Sequence, residues 1–123
     1  MGDEKHMTHK DLDVWKLSVD LVVDIYRLTE SFPKNELYGL TSQIRRAAVS
    51  IPSNIAEGAA RKNTKEFIQF LYISLGSIAE IDTQLIISQR LGYAEINGEL
   101  ADRIEHVRKM LINLIRKLKE KMG

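Results

Sequence analysis

Leu100, Ile104, Val107, Leu111, Leu114 and Leu118 recur at steps of four, three, four, three and four residues. That spacing is a heptad seam, and such a seam is stable only when facing helices cover it. The C-terminal segment must therefore pack lengthwise against other helices. No sustained apolar–polar alternation of the strand type occurs anywhere in the sequence, so the expected fold class is all-α.

Three further helices account for the rest of the chain. Asp11 or Asp13 is the expected cap of the first, followed by a stripe of Trp15, Val19, Val22, Val23 and Tyr26. Phe32-Pro33 stops it, because a residue preceding proline is pushed out of the α region. The second carries Leu37, Leu40, Ile44, Ala48, Ile51 and Ile55, with Asn35 as the expected cap. The third opens on Asn63 with Glu66 three residues later, a capping-box pattern, and closes at Gly92, where a left-handed cap belongs. Short connections then give an up-down-up-down four-helix bundle. The bundle domain spans residues 11–121, behind a flexible N-terminal tail over 1–10 that lacks periodicity.

On the third helix Phe67, Ile68, Phe70, Leu71, Tyr72, Leu75, Ile78, Ala79, Ile81, Leu85 and Ile86 cover an arc of about 200°. A surface helix needs about half of that, so either deep placement or another copy of the chain covers the remainder.

The second helix contains Pro52, yet Ile44, Ala48, Ile51 and Ile55 stay in phase across it. Proline has no N–H for the carbonyl of Ala48, and its ring crowds that carbonyl. The surviving period favours a helix kinked at Pro52 over a break with Ser50 or Ser53 capping a restart. Arg46, Ser50, Asn54 and Glu57 share one face beside the apolar stripe. Such a row can bind phosphate or catalyse; it can also fasten neighbouring helices, the reading favoured here. Asp82 falls inside the apolar arc of the third helix, so it must be paired, with Arg45 or Arg46 as the expected donor. The expected polar network is Arg45, Arg46, Ser50, Asn54, Glu57, Ser77, Glu80 and Asp82.

The formal charge of +1 is unevenly spread: residues 1–36 carry −3, residues 37–102 carry −1 and residues 103–123 carry +5. Arg61, Lys62 and Lys65, with Arg108, Lys109, Arg116, Lys117, Lys119 and Lys121, are the candidate nucleic-acid contacts. The competing reading is a solvated basic helix end, which the helix dipole favours. These charges carry no interleaved aromatic platform of the kind that reads a single strand by sequence, so sequence-tolerant electrostatic binding is the form expected.

The stretch "LTSQIRRAAVSIPSNIAEGAARKNTKEFIQFLYISLGSIAEIDTQLIISQRLGY", with the earlier "LDVWKLSVDLVVDIYRLTESFP", resembles the family of 23S rRNA intervening-sequence proteins over about Asp11 to Glu120. The family elements fall on Arg45, Arg46, Ser50, Pro52, Asn54, Glu57, Gly58, Gly76, Ser77 and Glu80. Ser74 stands where alanine is common, and Asp82 where glutamate is frequent. The resemblance implies a four-helix protomer in a ring-like homopentamer, encoded within bacterial 23S rRNA genes or free-standing. The accessory variability proteins of diversity-generating retroelements are similar, and there a basic pentamer binds nucleic acid and a reverse transcriptase.

The expected function is non-enzymatic: an oligomer that binds RNA or DNA through its basic surfaces, or a scaffold for a nucleic-acid enzyme such as a reverse transcriptase. His6, His9 and His106 form no metal-ligand motif, and no phosphate loop or nucleophile elbow occurs, so no cofactor is expected. Arg103 and His106 lie three apart, which does not match the arginine–histidine spacing of helical-bundle ribonucleases. There is no cysteine, no secretory signal and no apolar run approaching a membrane span, which fits a cytoplasmic protein. The amphipathic "MLINLIRKLKEKM" reads as a core-covering helix rather than a membrane-surface one.

Overall fold

The computed structural model describes residues 8–123. All regular structure among them is helical: 3-10 turns at His9–Asp11 and Lys34–Glu36, and helices α1 (Asp13–Thr29), α2 (Leu40–Ala59), α3 (Thr64–Arg90) and α4 (Gly98–Met122). The expected tail lies outside the described residues over 1–7, as does His6. Its last part packs on α1, with the His9 ring edge-on to Trp15 at 5.0 Å.

Side-chain pairs fix the up-down-up-down order. Arg103 of α4 pairs with Asp24 of α1, Arg108 of α4 with Asp82 of α3, and Ser50 of α2 meets Ser77 of α3. Each pair joins elements that run antiparallel. The core between them is aliphatic: Leu21, Ile25, Ile44, Ile51, Ile55, Leu71, Ile78, Ile81, Val107 and Leu111 are fully buried.

Helix ends follow local chemistry. Asn63 Oδ1 accepts the Glu66 N–H at 2.8 Å, as the capping pattern predicts, and Asn97 does the same for Leu100. Gly92 adopts φ 78°, and the bonds Gly92 N–H to Gln89 O and Tyr93 N–H to Ser88 O close a Schellman turn after α3. Two caps differ from expectation. Leu12, not an aspartate, precedes α1 and makes no side-chain cap bond. Asn35 lies in the 3-10 turn, and the first N–H of α2, that of Leu40, is taken instead by Glu36 Oε1 at 3.1 Å. The second oxygen of Glu36 accepts the Tyr93 hydroxyl at 2.8 Å. Those two bonds, Leu40 first, hold the Glu36 carboxyl below its ordinary value, while the same contact raises the Tyr93 phenol.

The buried face of α1 is also rotated from the expected stripe. Val14, Ser18, Leu21, Ile25 and Thr29 turn inward, whereas Val23 and Tyr26 are each 42% exposed. Ser18 and Thr29 enter the core because their hydroxyls bond back to Trp15 and Ile25 carbonyls, both at 2.8 Å. On α4 the heptad seam drifts: Leu100, Ile104, Val107, Leu111 and Ile115 are buried, and Leu114 and Leu118 are only partly so. A straight helix turns about 20° per heptad away from a strict seven-residue repeat, which brings Ile115 inward.

α2 is continuous through the buried Pro52, so no serine-capped restart forms. α2 and α3 pack closely at Gly58, where an added Cβ would lie 2.7 Å from Phe70 Cβ and 2.9 Å from Phe67 Cδ1. By length and composition α3 is long and apolar enough to cross a membrane, with a window of mean hydropathy 1.3. This departs from the expectation that no apolar run approaches a membrane span. In the fold α3 carries much of the core, and Ser74, Ser77, Gln84 and Ser88 are buried on it.

Candidate functional site

The polar row of α2 divides into two parts with different surroundings. Ser50 Oγ lies 3.0 Å from the Ala47 carbonyl and within hydrogen-bond reach of the Ser77 hydroxyl, which in turn meets the Ile73 carbonyl at 3.2 Å. Asn54 Nδ2 donates to the Ser50 carbonyl at 2.8 Å, and Ser74 Oγ donates to the Ile51 carbonyl at 2.9 Å. These bonds surround Pro52 and fasten α2 to α3. They reach Ala47, Ser50 and Ile51, the neighbours of the Ala48 carbonyl that proline deprives. Ser74 was visible in the sequence only as a departure from the family pattern.

Arg45 turns the other way. Its Nε donates to Thr29 Oγ1 at 2.8 Å, and its guanidinium lies 4.6 Å from the Tyr26 ring centroid. It thus ties α2 to the C-terminal turn of α1, where a cation is favoured. Asp82 pairs with neither Arg45 nor Arg46, contrary to expectation; its partner is Arg108 of α4, which also holds Glu105. Antiparallel packing of α3 on α4 brings position 108 level with 82, a register that no local spacing encodes.

Arg46 and Glu80 are not fastened at all. With Gln43, Ala47, Ser50 and Gln84 they line an open cleft of about 330 Å³ between α2 and α3. Neither joins an ion pair among the described residues. The buried Gln84 Oε1 in the same cleft has no hydrogen-bond partner among the described residues. Of the row expected to fasten helices, Ser50 reaches Ser77 on α3, Asn54 bonds back within α2, and Arg46 and Glu80 join no ion pair among the described residues. Glu57 is exposed and pairs with Arg61 at 2.9 Å.

The second candidate surface is made by topology. Because α4 runs antiparallel to α3 and α1, its last turns lie beside the first turns of α3, where Lys119 meets Tyr72, and beside the start of α1, where Leu114 and Lys117 approach Leu12 and Asp13. The pole formed by residues 8–17, 57–72 and 116–123 holds nine Lys/Arg against five Asp/Glu, whereas 18–56 and 73–115 hold eight against ten. Of the nine candidate nucleic-acid contacts, Arg61 is held by Glu57 and Glu66 and Arg108 by Asp82 and Glu105. Lys62, Lys65, Lys109, Arg116, Lys117, Lys119 and Lys121 join no ion pair among the described residues. The sequence expectation of no aromatic platform among these charges needs correction. Phe70 lies 4.9 Å from the Arg61 guanidinium, and the Tyr72 hydroxyl accepts from Lys119 Nζ at 2.7 Å.

Catalytic combinations are sparse. Arg103 is engaged by Asp24, and His106 is exposed and joins no ion pair among the described residues. Among the described residues no group of three or more His, Asp or Glu side chains is placed to hold a metal.

No curated protein matches the chain. A family profile described as 23S rRNA-intervening sequence protein matches residues 10–113. That span takes in α1, α2, α3 and most of α4, including the fastened serines, the open cleft and the start of the basic pole. The chain is a member of the 23S rRNA-intervening sequence protein family.

Proposed function

We propose that this chain acts without catalysis, as a bundle that assembles with copies of itself and holds RNA or DNA electrostatically at its basic pole. The observation that carries this reading is the presence of Lys62, Lys65, Arg116, Lys117, Lys119 and Lys121, none of them in an ion pair among the described residues, towards one end of the bundle; Lys109, next to the Arg108–Asp82 pair, lies nearer its middle. Cations free of carboxylate partners gain most from phosphate, because binding releases the counterions condensed on the polyanion. Self-assembly is supported by Ile73, Ile86 and Ile87, large apolar side chains exposed on the outer face of α3. A ring of five, the assembly its family resemblance implies, would repeat each modest patch and add weak phosphate contacts together.

Equilibrium binding to RNA and DNA across a salt series tests the reading, with assembly mass followed by light scattering. Affinity is expected to fall steeply with salt, by a log–log slope of about 0.9 for each duplex phosphate neutralised. Charge reversal at Lys117 and Lys119 should weaken binding. Absence of binding at low salt would turn attention to the second reading, a scaffold docking on a nucleic-acid enzyme such as a reverse transcriptase, which the apolar α3 face also favours.

A further inference from the structure

We infer that Tyr72 is a stacking subsite for an unpaired base, so that the basic pole prefers single-stranded nucleic acid over duplex. The inference rests on the pole being a nucleic-acid surface, and it adds what kind.

Tyr72 is 46% exposed on the outer face of α3 near its pole end, so its ring does not serve the core; it shares that face with Ile73, Ile86 and Ile87, and assembly mass separates the two uses. The Lys119 ammonium holds it from the side. That ammonium is 2.7 Å from the hydroxyl oxygen but 5.2 Å from the ring centroid. It therefore sits towards the oxygen end of the ring rather than centred on a face. One turn further along α3, Gly76 has nothing within 4 Å of the place a Cβ would occupy, so no side chain rises there to cover the ring from that side. Phe70 differs: it is only partly exposed, and the Arg61 guanidinium lies against it.

Lys65, Gln69, Tyr72 and Gly76 follow at steps of four, three and four residues and so share one row of α3. Lys65 and Tyr72 are seven residues apart, about 10 Å along the axis. A strand laid along this row has a cation at one end, the Lys119 ammonium beside the ring, and a π face between them. This is the combination by which single strands are held without regard to sequence: phosphates on cations, bases on aromatic faces. A duplex offers the phosphates but keeps its base faces stacked inside.

The test compares the full chain with Tyr72→Leu and Tyr72→Trp. Each is titrated against fluorescein-labelled oligo-dT and against a duplex of equal length, with light scattering and thermal melting alongside. The full chain should bind oligo-dT more tightly than duplex. Tyr72→Leu, which keeps apolar bulk but loses the π face, should lose about fivefold or more on oligo-dT and less on duplex, where only the hydroxyl's hold on Lys119 is lost. Tyr72→Trp should retain or gain oligo-dT affinity. Equal oligo-dT affinity for Tyr72→Leu and the full chain overturns the subsite while leaving the basic pole as a binding surface. A loss accompanied by a change in assembly mass also overturns it and assigns Tyr72 to the contact between copies. If the full chain binds neither probe at low salt, the proposed function itself falls.

Discussion

The Ser74 hydroxyl of α3 donates to the Ile51 carbonyl of α2 at 2.9 Å, one residue ahead of Pro52. Both side chains are fully buried, so the bond lies where water cannot replace it. It joins the two helices at the point where α2 is least able to support itself.

Ser74→Ala should lower the free energy of unfolding by about 0.5–1.5 kcal/mol, the net worth of an ordinary hydrogen bond. Chemical denaturation is the measurement. Assembly mass should not change, because Ser74 reaches only within its own bundle.

Gly58→Ala tests the close approach of α2 and α3. Alanine is the better helix former by about 1 kcal/mol. The clash opposes this, since Phe70 Cβ is fixed to the α3 backbone and cannot rotate away. Overpacking of this kind costs about 1–3 kcal/mol, so the variant should melt below the parent despite its higher intrinsic helicity.

Glu36 should make stability depend on pH at the acid end. Its carboxyl is lowered from 4.5 by the Leu40 N–H and then by the Tyr93 hydroxyl. A lowered carboxyl stabilises fully above its ordinary value, and that contribution disappears as pH falls through the lowered one. Urea unfolding of the parent and Glu36→Gln should therefore differ at neutral pH and converge in acid. Tyr93 has the opposite sign: its contribution is complete below 10 and is lost as pH rises through its raised value.

The Asp82–Arg108 pair is partly exposed, so a double-mutant cycle on it should give a coupling of about 0.2–1 kcal/mol, shrinking with salt. Arg46→Ala should stay within about 0.5 kcal/mol of the parent, because Arg46 forms no ion pair to lose. A larger loss at Arg46 that coincides with dissociation of the assembly would place the open cleft against another copy.

The elements themselves were legible because their signals are local: Asn63 three residues before Glu66, Gly92 after the last apolar turn, and the seam from Leu100. The α1 face was not, since Val19, Val22 and Val23 form as plausible a stripe as Leu21 and Ile25. What decided it was the ability of Ser18 and Thr29 to satisfy their hydroxyls on their own helix. The polar network was half legible. Ser50 and Ser77 sit at positions whose meeting follows from any antiparallel α2–α3 pair, but the partner of Asp82 and the rings beside Arg61 and Lys119 depend on how α4 is set against α3. Glu36 and Tyr93 are 57 residues apart. Only the closed bundle brings them together.

Pro52 also bears on the order in which the chain gains its shape. It divides α2 into stretches of no more than about a dozen residues, too short to persist as helices in water by themselves. The second helix therefore forms as the third docks along it, and the two make one cooperative unit.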